Sequence, residues 1–345
     1  MMTTLELSEN TTIGELVQSG LYGDFARFIF TYMTPDHWNN PLRVYGFETV
    51  GFEKTLRRMR ELSGKNQVMH FHIWPKEERL AQWDKDTVWL EFFPAPVSGQ
   101  RKPYALILPG GGFNRQWGLI EGQAIAARLN ELGMPAFVLY YRVKQEPVVQ
   151  LAIEDLYAAV RFIDRNADRF GVEAGEYLLG GFSAGASVAG CLLTERFSAQ
   201  SGGIPAPKTV MLGYAPARYD EFYRTWKEAP EGSAERESGA AVLRRVGGPC
   251  FTPESLASYN IPMNLSPEGP AVYLTANEDD PVVPAVNTHA LEEALKERGR
   301  TVRSRIGKTG GHSYGLGIGL EAEGWLDEAA ELFESVIKRD RRPGE

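Results

Sequence analysis

The stretch YLLGGFSAGASVA, residues 177–189, decides how the rest of the chain is read. It starts as a short apolar run, passes Gly180 and Gly181, reaches Ser183, and leaves through Ala184 and Gly185 into small residues that a helix accepts. Within it, Gly181-Phe182-Ser183-Ala184-Gly185 has the pattern G-x-S-x-G. The spacing has a mechanical cause. A serine at the tip of a sharp strand-to-helix turn sits in a strained backbone conformation, and the residues two before and two after it must lack side chains to clear the neighbouring strand and helix. Such a turn exposes Oγ at the carboxyl end of a strand and directs the helix N-terminus and the Ala184 N–H at whatever the serine attacks. Taken alone the pentapeptide also fits a plain glycine-rich turn. The strand before it and the helix after it favour the catalytic reading.

Upstream, residues 104–108 (YALIL) form a continuously apolar run, as a strand buried on both faces requires. It ends in Pro109-Gly110-Gly111-Gly112-Phe113. Three consecutive glycines let the backbone fold so that N–H groups face a cavity, which is how an oxyanion site after the third strand is built. Further strands are expected at residues 135–141, 209–214, 271–276 and 301–306, and helices at 121–132, 149–165, 288–298 and 322–338. The helix at 149–165 is amphipathic, with Leu151, Ile153, Leu156, Ala159, Val160 and Ile163 on one side. Alternating strands and helices predict an α/β fold, a mostly parallel sheet of about eight strands with helices on both faces. Ligands of such sheets bind at the carboxyl ends of the strands. Three polar loops leave late strands there: the Ser183 turn, Glu278-Asp279-Asp280, and Gly310-Gly311-His312-Ser313-Tyr314. Their chain order, serine then acid then histidine, is that of the α/β-hydrolase arrangement.

Before this core, residues 68–74 and 87–93 alternate as strands do and read as an antiparallel opening pair. His70 and His72 stand two apart on one strand. Nothing nearby in the sequence offers the carboxylate or third imidazole a metal site would need, so ordinary strand packing is expected. Residues 1–66 read as a small N-terminal helical layer packing on a catalytic domain at 67–340. Thr11 and Thr12 offer an N-cap for a helix running toward Ser19-Gly20, residues 22–33 are rich in aromatics, residues 35–41 form a break, and residues 51–62 resume helical spacing. A stabilising arm, a contact within a homo-oligomer and a lid are the roles open to this layer. Residues 215–270, rich in charge, Gly and Pro, read as a partly helical insertion at the mouth of the site.

Composition narrows the function class. The chain has 345 residues, of which 43% are hydrophobic and 24% charged, as in an ordinary soluble globular protein. A net charge of −8 argues against a general nucleic-acid or anionic-membrane binder. Residues 1–20 are polar and acidic, without the basic and apolar regions of a secretory signal, and no stretch has the roughly 18 apolar residues of a membrane span. A cytoplasmic location is expected. Cys191 and Cys250, the two cysteines, read as buried small hydrophobes rather than a disulfide or metal site.

Together the motifs carry a resemblance. Pro109-Gly110-Gly111-Gly112-Phe113, Glu121-Gly122, Tyr141-Arg142-Val143, Gly181-Phe182-Ser183-Ala184-Gly185, Asp280-Pro281-Val282-Val283-Pro284 and Gly310-Gly311-His312 resemble those of the α/β-hydrolase esterases related to acetyl xylan esterases and the bifunctional feruloyl and acetyl esterases. The likeness spans roughly residues 104–317. Ala186-Ser187 stand where relatives often carry Gly-His, a departure that bears on substrate preference. The resemblance implies a carboxylic ester hydrolase for small acyl esters, with acetyl groups on a sugar as the expected substrate. Its D-x-x-V-P pattern selects Asp280 as the acid, with Asp279 second.

His312 would then take the Ser183 proton and Asp280 would hold the imidazole. The N–H groups of Ala184, Gly111 and Gly112, with Phe113 as the alternative, would hold the oxyanion. Phe113, Trp117 and Tyr314 would shape the substrate pocket, while Phe182 reads equally well as core. His289, inside a helix, and His37, in the N-terminal break, are weaker bases, and Ser187 reads as a packing residue. The substrate is a small-molecule ester, and no metal or organic cofactor is called for. The same groups also serve amides, as in an arylformamidase or a peptidase. A catalytically silent hydrolase fold used for binding is the third reading, disfavoured by the complete set of groups.

Overall fold

The computed structural model describes residues 8–20, 38–45, 69–95 and 100–341. Among these, the strands fall on the apolar runs: β1 (Met69–Phe71), β2 (Trp89–Phe93), β3 (Lys102–Leu108), β4 (Ala136–Tyr140), β5 (Val172–Phe182), β6 (Thr209–Gly213), β7 (Ala271–Asn277) and β8 (Val302–Gly307). They form an eight-stranded sheet in the order β1-β2-β4-β3-β5-β6-β7-β8. β1 and β2 pair antiparallel, β2 pairs antiparallel with β4, and every later pair is parallel.

Successive side chains along a strand point to opposite faces, and here that alternation splits the core. Tyr104, Leu106 and Leu108 of β3 belong to one apolar cluster, and Ala105 and Ile107 to a second. A parallel sheet needs both faces covered, and the helices supply the cover. Ile13–Gln18 is α1, Ala124–Glu131 α2, Val149–Arg165 α3 and Ala184–Cys191 α4. Val286–Glu297 and Trp325–Asp340 come later in the chain. On the first face lie α3, through Ile153, Leu156, Val160 and Ile163, and α4, through Val188 and Cys191. On the second lie α2, through Ile125 and Leu129, and the C-terminal helix, through Trp325, Leu332 and Phe333. Each fully buried aliphatic side chain contributes about 1.5–3 kcal/mol.

The insertion is more helical than its weak periodicity suggests. It holds α5 (Tyr219–Glu228), α6 (Ala234–Gly247), α7 (Pro253–Ala257) and α8 (Ile261–Asn264), followed by α9 (Val286–Glu297) and α10 (Trp325–Asp340) of the core. Ser233 and Thr252 cap α6 and α7. Trp226 packs edge-on against Phe251, ring centroids 4.8 Å apart, so the insertion's helices pack on one another as well as on the sheet.

The helix expected at 121–132 starts earlier, as a π-turn over Gly118–Gln123, before α2 continues it. The C-terminal helix starts later, because Gly324 in a left-handed conformation breaks the chain just before Trp325. Cys191 is buried as expected, but Cys250 is exposed, because it lies in the Gly248-Pro249-Cys250 link on the insertion's surface.

Thr12 does cap α1, in a reciprocal capping box with Glu15. Ile13, Leu16 and Leu42 fall in the second apolar cluster. The aromatic stretch at 22–33, His37 and the helical stretch at 51–62 lie outside the described residues. No helix among the described residues is long and apolar enough to cross a membrane. A carboxylate does stand beside the first of the paired histidines, because β2 places Glu91 opposite it: His70 bonds the buried Glu91 at 3.0 Å, while His72, just past β1, packs tilted against Trp89.

Candidate active site

Ser183 is the hinge between β5 and α4, with φ 48° and ψ −120°, a conformation that costs a non-glycine residue about 1–3 kcal/mol. Close packing over-determines it. A Cβ on Gly181 would lie 2.5 Å from the Gly185 carbonyl oxygen, and one on Gly185 would lie 2.2 Å from that of Leu108. The glycines on either side of the serine are therefore sites of backbone-to-backbone contact.

The Ser183 Oγ lies 3.0 Å from His312 Nε2, and His312 Nδ1 lies 2.7 Å from Asp280 Oδ2. The loops that leave β5, β7 and β8 thus bring the three residues together at the carboxyl ends of the parallel strands. The other Asp280 oxygen accepts the N–H groups of Val282 and Val283 at 2.8 and 2.9 Å, which fixes the carboxylate. Asp280 is 5% exposed and Ser183 8%, so the chain of bonds sits in a poorly solvated place that still opens to solvent. Asp279, the alternative acid, turns instead to the histidine loop, where it accepts the N–H groups of Gly310 and Gly311. His289 is exposed and pairs with Glu278.

In the glycine loop every carbonyl from Pro109 to Phe113 is engaged. Pro109 accepts from Tyr141 Oη at 2.6 Å and Gly110 from the Trp117 N–H at 3.0 Å. Gly111 accepts from the N–H groups of Asn114 and Arg115, Gly112 from Arg245 at 3.2 Å, and Phe113 from the Lys144 N–H at 2.8 Å. In a trans peptide the N–H points opposite to the carbonyl. Holding the carbonyls back therefore presents the N–H groups of Gly111, Gly112 and Phe113, for which no acceptor occurs among the described residues. The Ala184 N–H, in the first turn of α4, is likewise without one. Gly111 and Gly112 both need positive φ, 132° and 61°, and Phe113 adopts 59°.

The proposed pocket aromatics divide. The Phe113 ring is 1% exposed and belongs to the first apolar cluster. Trp117 and Tyr314 are half-buried against the second, Trp117 beneath the Arg115 guanidinium. Tyr314 Oη is bonded to Thr275 at 2.6 Å. Phe182 packs against Tyr214 and Trp325 as a core residue. Ser187 is bonded to the Pro216 carbonyl and the Tyr219 hydroxyl, tying α4 to the start of the insertion.

Sequence reasoning missed Tyr214 and the direction of Glu121. Tyr214, just after β6 at φ 39°, packs edge-on against the His312 ring with centroids 4.7 Å apart. Its hydroxyl donates to Glu121 at 3.0 Å. Burial, and next the Glu121 charge, push the Tyr214 phenol well above its ordinary value, so it stays a donor. Burial also pushes the Glu121 carboxyl up, while His312, the Ser313 hydroxyl, the Gly110 N–H and Tyr214 pull it back.

The BD-FAE family model matches residues 90–295, a span that includes the glycine loop, Ser183 and Asp280 and stops short of His312. Among curated proteins the chain is 28% identical over 203 residues to an endo-1,4-beta-xylanase B of Butyrivibrio fibrisolvens, covering 56% of this chain and 29% of that protein. The chain thus spans under a third of that relative's length. The fold is shared with an acetyl ester-xyloside bifunctional hydrolase from Caldicellulosiruptor lactoaceticus, 23% identical with a TM-score of 0.63 over 78% of this chain and 96% of the other. It is shared also with the carboxylesterase Cest-2923 from Lactobacillus plantarum WCFS1, 19% identical with a TM-score of 0.58 over 74% and 94%. The chain belongs to the BD-FAE family of α/β-hydrolases.

Proposed function

We propose that this chain is a serine carboxylic ester hydrolase for small acyl esters, with acetyl groups on carbohydrate as the substrate class. The observation that carries the reading is the continuous bond chain Ser183–His312–Asp280 at 3.0 and 2.7 Å. The names of the relatives support the substrate class, since one is a xylanase and one an acetyl ester-xyloside hydrolase.

Ser183 Oγ attacks the ester carbonyl while His312 Nε2 takes its proton. Asp280 holds Nδ1–H, fixing the tautomer, and stabilises the imidazolium. The oxyanion is held by the N–H groups of Ala184, Gly111 and Gly112, with Phe113 N–H adjoining. Collapse expels the alcohol, which leaves with the proton from His312. Water then attacks the acyl-serine by the same route, releasing the carboxylic acid and restoring Ser183.

A panel of short-chain chromogenic esters tests this. Ser183→Ala should lower kcat by on the order of 10⁶ and leave residual turnover from binding and the oxyanion site. Unchanged turnover in the variant would move the nucleophile elsewhere, and faster cleavage of formyl amides than of acetyl esters would make this an amidase.

A further inference from the structure

We infer that Glu121 is a positioning residue of this site, a second carboxylate that fastens the glycine loop to the histidine loop and supports the positive charge formed on His312. The inference rests on the serine-hydrolase reading above. Glu121 is 0% exposed. A carboxylate gains nothing from burial in a core unless its bonds do something that an apolar side chain could not.

Its bonds reach two parts of the site. Oε2 accepts the Gly110 N–H at 2.7 Å, at the base of the glycine loop, and Oε1 accepts the Tyr214 hydroxyl at 3.0 Å. The Tyr214 ring in turn packs edge-on against His312, centroids 4.7 Å apart. Proximity to the nucleophile is direct, since a Cβ added at Gly110 would lie 2.7 Å from both Glu121 Oε2 and Ser183 Cβ. Glu121 sits within the π-turn Gly118–Gln123, a distortion that recurs at functional sites.

Its role differs from that of Asp280. Asp280 binds Nδ1 of the imidazole, whereas Glu121 acts through Tyr214, whose ring packs on that of His312. The groups facing His312 are Asp280 from the turn after β7, Ser183 after β5, Tyr214 after β6, and Glu121. Those facing Glu121 are His312, Tyr214, Ser313 and Tyr141 at the end of β4. No Lys or Arg is among them, so the charge Glu121 meets is the one His312 acquires in the reaction.

The test is the pH dependence of ester hydrolysis by full-length wild type, E121Q and E121D, with folding checked by circular dichroism. E121Q should lose about 10- to 100-fold in kcat with KM within about twofold. Its acidic limb of kcat/KM should move down by about one pH unit, because removing a nearby negative charge disfavours the protonated base. E121D keeps the charge and should hold the wild-type limb even where the shorter arm lowers kcat. A folded E121Q with wild-type kcat and limb, or a loss confined to KM, overturns the inference. Should E121Q fail to fold, Y214F, which keeps the ring on His312 but removes the Glu121 bond, must lower kcat severalfold at unchanged KM, and unchanged kcat there overturns it too. Loss of turnover in Ser183→Ala is measured alongside. Serine-independent turnover would sink the hydrolase reading itself, a failure distinct from that of Glu121.

Discussion

Asp279 Oδ1 accepts the Gly311 N–H at 2.8 Å, and its second oxygen accepts the Gly310 N–H at 3.2 Å. Two adjacent aspartates therefore divide the work on the histidine loop. Asp280 takes the imidazole and Asp279 fastens the backbone that carries it, beside Asn277, whose side-chain amide donates to the Gly311 carbonyl at 3.1 Å.

The division predicts unequal losses. Asp280→Asn should cut kcat by about 10⁴, because the wrong imidazole tautomer is then held. Asp279→Asn keeps the imidazole's partner but loosens its loop, and should cost about 10- to 100-fold in kcat with a smaller change in KM. Steady-state kinetics on an acetyl ester separates them, and equal losses would contradict the assignment.

Gly185→Ala should destabilise the fold as well as the site. Its new Cβ would meet the Leu108 carbonyl at 2.2 Å, and backbone cannot move aside as a flexible side chain can. A loss of about 2–3 kcal/mol, read by urea denaturation, is expected.

Ser187→Ala should separate stability from turnover. Removing a hydroxyl bonded to the Pro216 carbonyl and Tyr219 should cost about 1–2 kcal/mol, leaving kcat on acetyl esters within about threefold. A large loss of kcat with intact stability would place Ser187 in the chemistry.

The buried Glu121 carries a pH signature. Its folded value is raised by burial, so the native state binds its proton more tightly than the unfolded chain does. Below about pH 4 the carboxyl is protonated in both states and the ionisation has no effect on stability. As pH rises from the ordinary unfolded value toward the raised folded one, the unfolded chain releases its proton first, and the wild type loses stability that Glu121→Gln keeps. The melting temperature of the variant relative to wild type should therefore become more favourable from pH 4 to pH 8. A difference that stays flat with pH would mean that Glu121 is not a charged, buried group.

What could be read from residues alone follows the range of the forces involved. The Ser183 turn, the glycine loop and the His312 loop were legible because each depends on glycines placed within a few residues of one another. The two-sided core was legible from continuous apolar runs such as 104–108. The choice between Asp279 and Asp280 came from a family pattern, because neighbouring carboxylates in a turn look alike until the chain is folded. The helices α5 to α8 were hard to see because charged and small residues dominate them and few side chains in each, such as Tyr219, Leu243, Val246, Leu256 and Ile261, reach the core. Nothing local marks Tyr214 as strained, and the inward turn of Glu121 depends on the π-turn that precedes α2.

The most direct measurement is mass spectrometry of the chain after exposure to a serine-directed phosphonate, with the modified peptide sequenced. One adduct on Ser183, absent from Ser183→Ala and formed far more slowly in His312→Ala, is the expected result. An adduct on another residue, or labelling of Ser183 at the same rate without His312, would contradict the proposed site.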